Sequence, residues 1–278
     1  MKLGGVRESD KVEDRRGGSA ARRGAVAVSG VTLVIAIVVG LLTGKNPLAL
    51  LEGQPPQGSA GRGSSVDPND PGAVFTRKVL ATTEDTWKVA LPTMGEPYEE
   101  PTLVLFRDQV ESACGLQEAA VGPFYCPADR KAYLDLDFLG ELQDKLGARG
   151  DFAAGYVIAH EVGHHVQTLL GTSARVRTGG KEKGPTGTAV RMELQADCYA
   201  GVWGAHVKKR GLLEVGDVEE ALGAAAAIGD DTLQRRAKGR VSPESFSHGT
   251  SEQRVRWFKR GMESADPRQC DTFAAAEL

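Results

Sequence analysis

The segment HEVGHHVQ, residues 160–167, places two histidines four positions apart, with a glutamate directly after the first. It lies within a stretch of helical apolar periodicity, residues 150–170, that predicts one long helix. Residues four apart lie on one face of a helix, so both imidazoles can reach the same metal ion. Such a helix must pack against an element that completes the ligand set, and this requirement constrains the fold more than any other feature.

The spacing matches the H-E-x-x-H pattern of zinc metalloproteases. Glu161 is rotated about 100° from His160 around the helix, so it does not join the ligands but can reach a water molecule beside the ion. The longer metzincin pattern requires glycine at 167 and histidine at 170, and the chain has Gln167 and Leu170. The metzincin class is therefore excluded, and a third ligand must come from elsewhere in the chain.

The segment ELQAD, residues 193–197, offers that ligand. Glu193 and Asp197 lie on one face of a second predicted helix, residues 190–209. We assign Glu193 as the third zinc ligand and Asp197 as the acceptor of a hydrogen bond from the free ring nitrogen of His160. The alternative, in which both carboxylates face solvent, is disfavoured because the residues around them are mostly apolar.

The remaining histidines have less specific contexts. His165 faces away from the preceding ligand, which predicts a packing or supporting role, and His206 is expected to cap a helix or lie on the surface. His248, in the loop SHGTSEQR, is a candidate donor to a transition-state oxyanion, with Arg254 as another candidate cation. The alternative is that His248 is an ordinary exposed loop residue. Asp230, in IGDD, is expected only to end one helix and start the next turn.

Residues 24–44 contain no charged side chain and, at 21 residues, would span about 30 Å as a helix, enough to cross a bilayer core. The 23 residues before them hold seven Lys or Arg and four acids, which predicts a cytoplasmic leader (1–23) and an extracytoplasmic domain. A cleaved signal peptide and a buried core helix are the alternatives. Residues 45–72, rich in Pro, Gly and Ser, predict a flexible linker, so the folded domain is expected at 73–278.

All four cysteines follow the predicted span. An even number in an exported region predicts two disulfides, and the sequence allows three pairings. We favour Cys114–Cys126 as a local loop and Cys198–Cys270 as a link to the C-terminal segment. Buried free thiols are the alternative.

Apolar periodicity predicts more helix than strand. Strands are expected at 102–106 and 132–138, the second alternating between apolar and polar residues. Helices are expected at 74–91, 150–170, 190–209, 217–228 and from 250 onward, the last two opened by the capping-box pairs Asp217/Glu220 and Thr250/Gln253. Because the strands come first, the class expected is α+β, mostly helical with a small antiparallel sheet.

Several stretches match a known family together. They are ESDKVEDRRG near the N-terminus, GPFYCP, YLDLDF, HEVGHHVQ, ELQADCYAGVW, IGDDTLQ and SHGTSEQRVRWF, and they cover nearly all of residues 100–262. With them the chain resembles the bacterial neutral zinc metallopeptidases, which are often membrane-anchored. The resemblance implies a zincin-like fold, zinc bound by His160, His164 and Glu193, and Glu161 as the catalytic base. It implies no particular substrate.

These features predict a membrane-anchored zinc metallopeptidase, an endopeptidase, that uses a zinc-activated water with Glu161 as general base. The substrate is expected to be a peptide or protein lying extended beside the strand 132–138. Lipid is expected as a second partner through residues 24–44, and the net charge of −3 gives no basis for binding nucleic acid. Two alternatives stay open: a non-catalytic, zinc-stabilised domain that binds or scaffolds envelope proteins, and a zinc hydrolase of a non-peptide amide.

Overall fold

The computed structural model describes residues 1–16, 67, 69–118, 122–144, 150–180 and 182–278. Contacts group Met1–Arg15 and Ser65–Leu278 into one unit and Arg16–Ser64 into a second. The second unit lies almost wholly outside the described residues. The elements and contacts that follow belong to the first unit.

Short strands form a mixed sheet and a separate hairpin. Their bounds are β1 Val12–Asp14, β2 Thr102–Phe106, β3 Gln109–Ser112, β4 Gly115–Glu118, β5 Phe124–Cys126 and β6 Lys131–Asp135. The sheet has the order β1-β2-β6-β5, with β1, β2 and β6 parallel and β5 antiparallel at one edge. Strands β3 and β4 form the antiparallel hairpin. The small sheet expected to be antiparallel is therefore mainly parallel.

The predicted strand 132–138 ends early, at Asp135. The Asp135 carboxylate accepts a hydrogen bond from the main-chain N–H of Asp137 at 2.9 Å, which favours the start of a helix at Leu136. The four residues 132–135 are all buried, so β6 does not have the solvent-facing side that the alternating pattern indicates. Ala132 and Leu134 pack into the main hydrophobic core, and Tyr133 packs into a second buried cluster with Val104 and Phe124.

Helices make up most of the unit, and the expectation of a mostly helical α+β protein is confirmed. The helices of the described residues are α1 Pro71–Ala90, α2 Leu136–Asp144, α3 Asp151–Leu169, α4 Thr172–Gly179, α5 Thr188–Lys209, α6 Asp217–Ala227, α7 Asp230–Lys238 and α8 Ser251–Ser264. Short 3-10 turns lie at Leu91–Met94, Pro243–Ser245 and Pro267–Cys270.

One of the two predicted capping boxes forms and the other does not. Thr250 and Gln253 exchange hydrogen bonds of 2.9 and 3.1 Å at the start of α8. At α6 the cap position belongs to Gly216, whose φ of 100° suits glycine. Asp217 is instead the first helical residue, and its carboxylate accepts the main-chain N–H of Glu214 at 2.9 Å. The predicted box at Asp217 is therefore wrong.

Helix α3 lies at the centre of the helical core. It packs against α1, α5 and α6 and against strands β5 and β6. Phe152 of α3 stacks on Trp203 of α5 with ring centroids 5.1 Å apart, and the Trp203 indole donates to the Thr82 hydroxyl of α1 at 2.8 Å. Burial of each of these aromatic rings stabilises the fold by about 1.5–3 kcal/mol, so three helices are held in fixed relative positions.

Helices α5 and α8 approach to backbone contact. A Cβ atom on Gly201 of α5 would overlap the main-chain oxygen of Phe258, and one on Gly261 of α8 would overlap that of Cys198. Two glycines facing each other's helix allow this approach, which brings the N-terminal half of α8 to the α3–α5 pair.

Both favoured disulfide pairings are confirmed. Cys114–Cys126 connects the turn of the β3–β4 hairpin to strand β5, twelve residues on. Cys198–Cys270 connects α5 to the turn Pro267–Cys270 across 72 residues, and we call it the α5 disulfide. No free cysteine is present among the described residues.

The N-terminal segment is part of the folded unit. The Met1 ammonium donates to the Asp151 carboxylate of α3 at 2.7 Å, and β1 pairs with β2. Residues 1–15 and 65–278 therefore lie on the same side of any membrane, so the expected localisation, with a cytoplasmic N-terminus and an extracytoplasmic domain, is wrong. Within the described residues, none of the helices combines the length and apolarity that a bilayer crossing requires. The predicted span, 24–44, lies outside those residues.

Candidate metal centre

Two helices cross at the residues that the sequence pattern singles out. Gly163 of α3 faces Ala196 of α5, and a Cβ atom on Gly163 would lie 3.0 Å from the Ala196 carbonyl oxygen. Glycine fits this close approach of the two backbones, whereas a side chain at Gly163 would force them apart by a few tenths of an ångström. The crossing brings His160 and His164 of α3 to Glu193 of α5.

Two of the three separations between the donor atoms match those between zinc ligands. His160 Nε2 lies 3.2 Å and His164 Nε2 3.5 Å from the same oxygen, Glu193 Oε2. All three atoms lie within 4.8 Å of one another. Four ligands placed tetrahedrally at about 2.05 Å from zinc are separated by about 3.3 Å, and the two distances bracket that value. Two imidazoles and one carboxylate, with a fourth position left open, fit a zinc ion with catalytic access.

The other ring nitrogen of His160 is held by a buried ion pair. Its Nδ1 lies 2.8 Å from Asp197 Oδ1, and Asp197 also accepts from the Tyr156 hydroxyl at 2.5 Å and twice from Arg254 at 2.9 Å. Burial alone would raise the pKa of Asp197, but the charges of Arg254 and His160 lower it below its usual range. Asp197 is therefore an anion that accepts the Nδ1 proton of His160. Arg254, expected as a cation for an oxyanion, is instead 2% exposed and committed to Asp197.

The other ring nitrogen of His164 has an amide partner. Its Nδ1 lies 2.9 Å from Oε1 of Gln167, a fully buried residue one turn further along α3. This role of Gln167 was not predicted, although its spacing of three residues from His164 places both on one helix face. With both Nδ1 atoms facing acceptors, both Nε2 atoms are turned to Glu193.

Glu161 lies beside the three candidate metal ligands and has no hydrogen-bond partner among the described residues. It is 9% exposed, and within the described part of the chain no hydrogen-bond donor reaches its carboxylate. Burial raises the pKa of Glu161 above its usual range, although the neighbouring His164 and His160 oppose the shift. A buried carboxylate without a hydrogen-bond partner can accept a proton from a water molecule or from a substrate.

The His248 loop is folded around Asp230. One Asp230 oxygen accepts the main-chain N–H groups of Ser247, His248 and Gly249 at 2.7, 2.7 and 3.1 Å, and the other lies 3.2 Å from His248 Nδ1. This hydrogen bond raises the pKa of His248, and the charge of His248 in turn helps to lower that of Glu193. His248 therefore lies near the donor cluster with its side chain 51% exposed. Asp230 was expected only to end one helix and start the next turn, because its contacts come from a loop 17 to 19 residues further along.

His165 and His206 face other parts of the fold. His165 Nε2 lies 2.7 Å from the Glu99 carbonyl oxygen and Nδ1 lies 3.0 Å from the Tyr125 hydroxyl. Burial lowers the pKa of His165 to about 4, so the neutral ring donates to Glu99 and accepts from Tyr125. These bonds hold α3 against β5. His206 Nδ1 lies 2.9 Å from the Val202 carbonyl oxygen of its own helix.

A second cluster of acids lies at the start of α3 and has a different partner. Asp151, Asp217 and Glu220 place carboxylate oxygens within 4.8 Å of one another. The Met1 ammonium lies 2.7 Å from Asp151 and 3.4 Å from Asp217, so a cation of the chain itself occupies this position.

A cavity of about 780 Å³ lies away from the donor cluster. Its lining includes Met94, Val176, Gln195, Tyr199 and Phe273, and none of the donors, Glu161 or His248. Gln195 is two residues beyond Glu193 and so faces the opposite side of α5. The chemistry of the donor cluster therefore does not take place in this cavity.

The chain is similar over most of its length to a known family and to proteins of other bacteria. The model of the family described as "Putative neutral zinc metallopeptidase" matches residues 1–273. The uncharacterized protein YpfJ of Escherichia coli (strain K12) is 50% identical over 285 aligned residues, covering 98% of this chain and 99% of the relative. The uncharacterized protein Rv2575 of Mycobacterium tuberculosis (strain ATCC 25618 / H37Rv) is 45% identical over 215 residues, covering 72% and 71%. No solved structure matches the chain.

The family match begins at residue 1, in agreement with the packing of the N-terminal segment into the fold. It also confirms the resemblance drawn from HEVGHHVQ, ELQADCYAGVW and the other stretches. The chain belongs to the family of neutral zinc metallopeptidases.

Proposed function

We propose that this protein is a zinc-dependent endopeptidase that hydrolyses bonds within peptide or protein chains. The observation that carries the proposal is the convergence of His160 Nε2 and His164 Nε2 on Glu193 Oε2, at 3.2 and 3.5 Å, close to the edge length of a zinc tetrahedron. Family membership supports the same class of activity.

The residues divide into ligands and a proton carrier. His160, His164 and Glu193 hold the ion. Zinc, when bound, lowers the pKa of a water molecule to about 7 and polarises a carbonyl group. Glu161 takes a proton from the attacking water and passes it to the leaving amine. Its enclosed carboxylate, with a raised pKa and no partner among the described residues, suits both transfers.

His248 is the proposed donor to the oxyanion that forms during attack. Asp230 accepts from its main-chain N–H and faces its Nδ1, which leaves Nε2 free to point away from Asp230. The carboxylate also favours the cationic ring, the form in which both nitrogens donate. A preorganised charged donor is worth about 10²–10³ in rate in comparable sites.

The substrate position differs from the one expected. Strand β6 has neighbours on both sides, so it has no free edge for an added strand. The antiparallel strand β5 is at the edge, and its Tyr125 hydroxyl bonds to His165 of α3, next to His164. We place the extended substrate along β5, where main-chain hydrogen bonds supply affinity with little dependence on sequence.

The test compares cleavage and zinc content in one set of proteins. Wild type, Glu161→Gln and the exposed control Glu244→Gln are incubated with a reduced, alkylated protein, and the products are identified by mass spectrometry. We expect one zinc in each, cleavage by wild type and Glu244→Gln, and a rate about 10²–10⁴ lower for Glu161→Gln.

Other outcomes separate the alternatives. Undiminished cleavage by Glu161→Gln would contradict the proposed role of Glu161. Zinc binding without peptide cleavage, together with hydrolysis of cell-wall amide fragments, would instead favour the non-peptide hydrolase. Zinc binding without hydrolysis of either substrate would favour the non-catalytic domain.

A further inference from the structure

Two buried glutamines connect His164 to the C-terminal segment. Gln167 Oε1 faces His164 Nδ1 at 2.9 Å, and its amide group donates to the Met192 carbonyl at 2.7 Å and to Gln195 Oε1 at 3.1 Å. The Gln195 amide group donates to the Cys270 carbonyl at 2.9 Å. Gln167 is fully buried and Gln195 is 6% exposed. We call these two side chains and their two carbonyl acceptors the glutamine relay.

The hydrogen bonds of the relay can run in only one direction, from donor to acceptor. A main-chain carbonyl can only accept a hydrogen bond, so the amide NH₂ groups of Gln167 and Gln195 must face Met192 and Cys270. The Gln167 oxygen then faces His164 and can only accept. His164 Nδ1 must therefore carry a hydrogen, which leaves the lone pair on Nε2, the atom that faces Glu193.

Both anchors of the relay are rigid. Met192 lies within α5, and Cys270 is fixed to the same helix by the α5 disulfide. Because the anchors cannot move apart, neither glutamine can turn its amide without losing buried hydrogen bonds.

The partner of His164 is neutral, unlike that of His160. Around the site, Glu161, Glu193 and Asp197 are carboxylates and Arg254 supplies one positive charge, while His248 and Asp230 form a pair that adds no net charge. A zinc ion would balance the remaining two. Gln167 accepts a hydrogen bond without adding a further negative charge, so it orients the ring and leaves this balance unchanged.

We infer that Gln167 is a positioning residue whose relay holds His164 in the Nδ1–H form with Nε2 directed at the metal, and so sets the zinc affinity of the site. The inference rests on the proposed function only in taking zinc as the ion; it does not require that the protein cleaves peptides.

The first measurement is the zinc dissociation constant at pH 7, by competition with a chromophoric chelator. The proteins are wild type, Gln167→Leu, Gln195→Leu and the control Gln234→Leu, whose amide bonds to Ser245 outside the relay. We expect Gln167→Leu to bind zinc about 10–100-fold more weakly. Gln195→Leu should lose less, because Met192 still anchors Gln167, and Gln234→Leu should match wild type.

The second measurement is the proton NMR spectrum of the zinc-loaded proteins. A slowly exchanging ring proton on His164 Nδ1 is expected in wild type, and it should be lost to solvent exchange in Gln167→Leu. A folded Gln167→Leu variant with unchanged zinc affinity, or zinc bound through Nδ1 of His164 in wild type, would overturn the inference. If Gln167→Leu does not fold, the wild-type spectrum still decides, because the absence of a slowly exchanging proton on His164 Nδ1 would overturn the inference. Failure to cleave any peptide would overturn the proposed function alone, because neither measurement needs turnover.

Discussion

Replacing Arg254 with methionine removes the only guanidinium that reaches Asp197 in the described part of the chain. Arg254 donates to both Asp197 oxygens at 2.9 Å, to the Tyr156 hydroxyl at 3.2 Å and to the Ile228 carbonyl at 3.3 Å. Asp197 is fully buried and Arg254 is 2% exposed, so water cannot replace these bonds. Removing one partner of such a buried pair costs about 3–5 kcal/mol, because the other charge stays enclosed and uncompensated.

Arg256 provides a matched control on the same helix. It pairs with Glu252 at 3.1 Å in an i,i+4 arrangement and with Glu277 at 2.9 Å, it donates to the Leu278 carbonyl oxygen at 2.8 Å, and 43% of its side chain is exposed. Exposed pairs of this kind contribute about 0.3–0.5 kcal/mol. In urea unfolding of the metal-free, disulfide-intact proteins, Arg254→Met should lower the free energy of unfolding by about 3–5 kcal/mol and Arg256→Met by under about 1 kcal/mol. Similar losses in the two variants would refute the reasoning.

Three further predictions concern helix packing, the α5 disulfide and His248. Gly201→Ala should lower the free energy of unfolding by about 2 kcal/mol or more, because its methyl group would overlap the main chain of α8. Gly223→Ala, at an open position in α6, should raise it by about 0.5–1 kcal/mol. Urea unfolding measures both changes. Replacing both cysteines of the α5 disulfide with serine should cost about 4 kcal/mol for a 72-residue separation, and an unchanged urea midpoint would contradict this. In Asp230→Asn the raised pKa of His248 should fall towards its usual value. Because protonated His248 is the proposed donor, the peptidase rate should begin to decline at lower pH than in wild type. An identical pH–rate profile in the two proteins would count against this role.

The donor set was predictable because it depends on local spacing. His160 and His164 share one helix face, and Glu193 and Asp197 share another, so each pair is specified by its own helix. The sequence did not indicate which residues of other elements would meet these side chains, such as the guanidinium that reaches Asp197. Arg254 was placed wrongly for this reason, since a charge in a sequence carries no indication of which buried acid it will meet.

The N-terminal segment was misassigned for a related reason. Its basic residues and the apolar run that follows favour a leader, because both are properties of composition. The pairing of Val12 with Leu103 and the contact of Met1 with Asp151 join residues about 90 and 150 positions apart. Local patterns carry no information on contacts of this range. The predicted end of the strand at residue 138 was also wrong. The Asp135 carboxylate accepts a hydrogen bond from the main-chain N–H of Asp137, which ends the strand at Asp135.

The central claim is that three side chains from α3 and α5 bind one zinc ion and leave a position for solvent. Zinc K-edge X-ray absorption of the full chain loaded with one equivalent of zinc tests it most directly. We expect two imidazole nitrogens and oxygen ligands at about 2.0–2.1 Å, with no sulfur, and the loss of one imidazole contribution in His164→Ala. A spectrum with fewer than two imidazoles, or one left unchanged by His164→Ala, would contradict it.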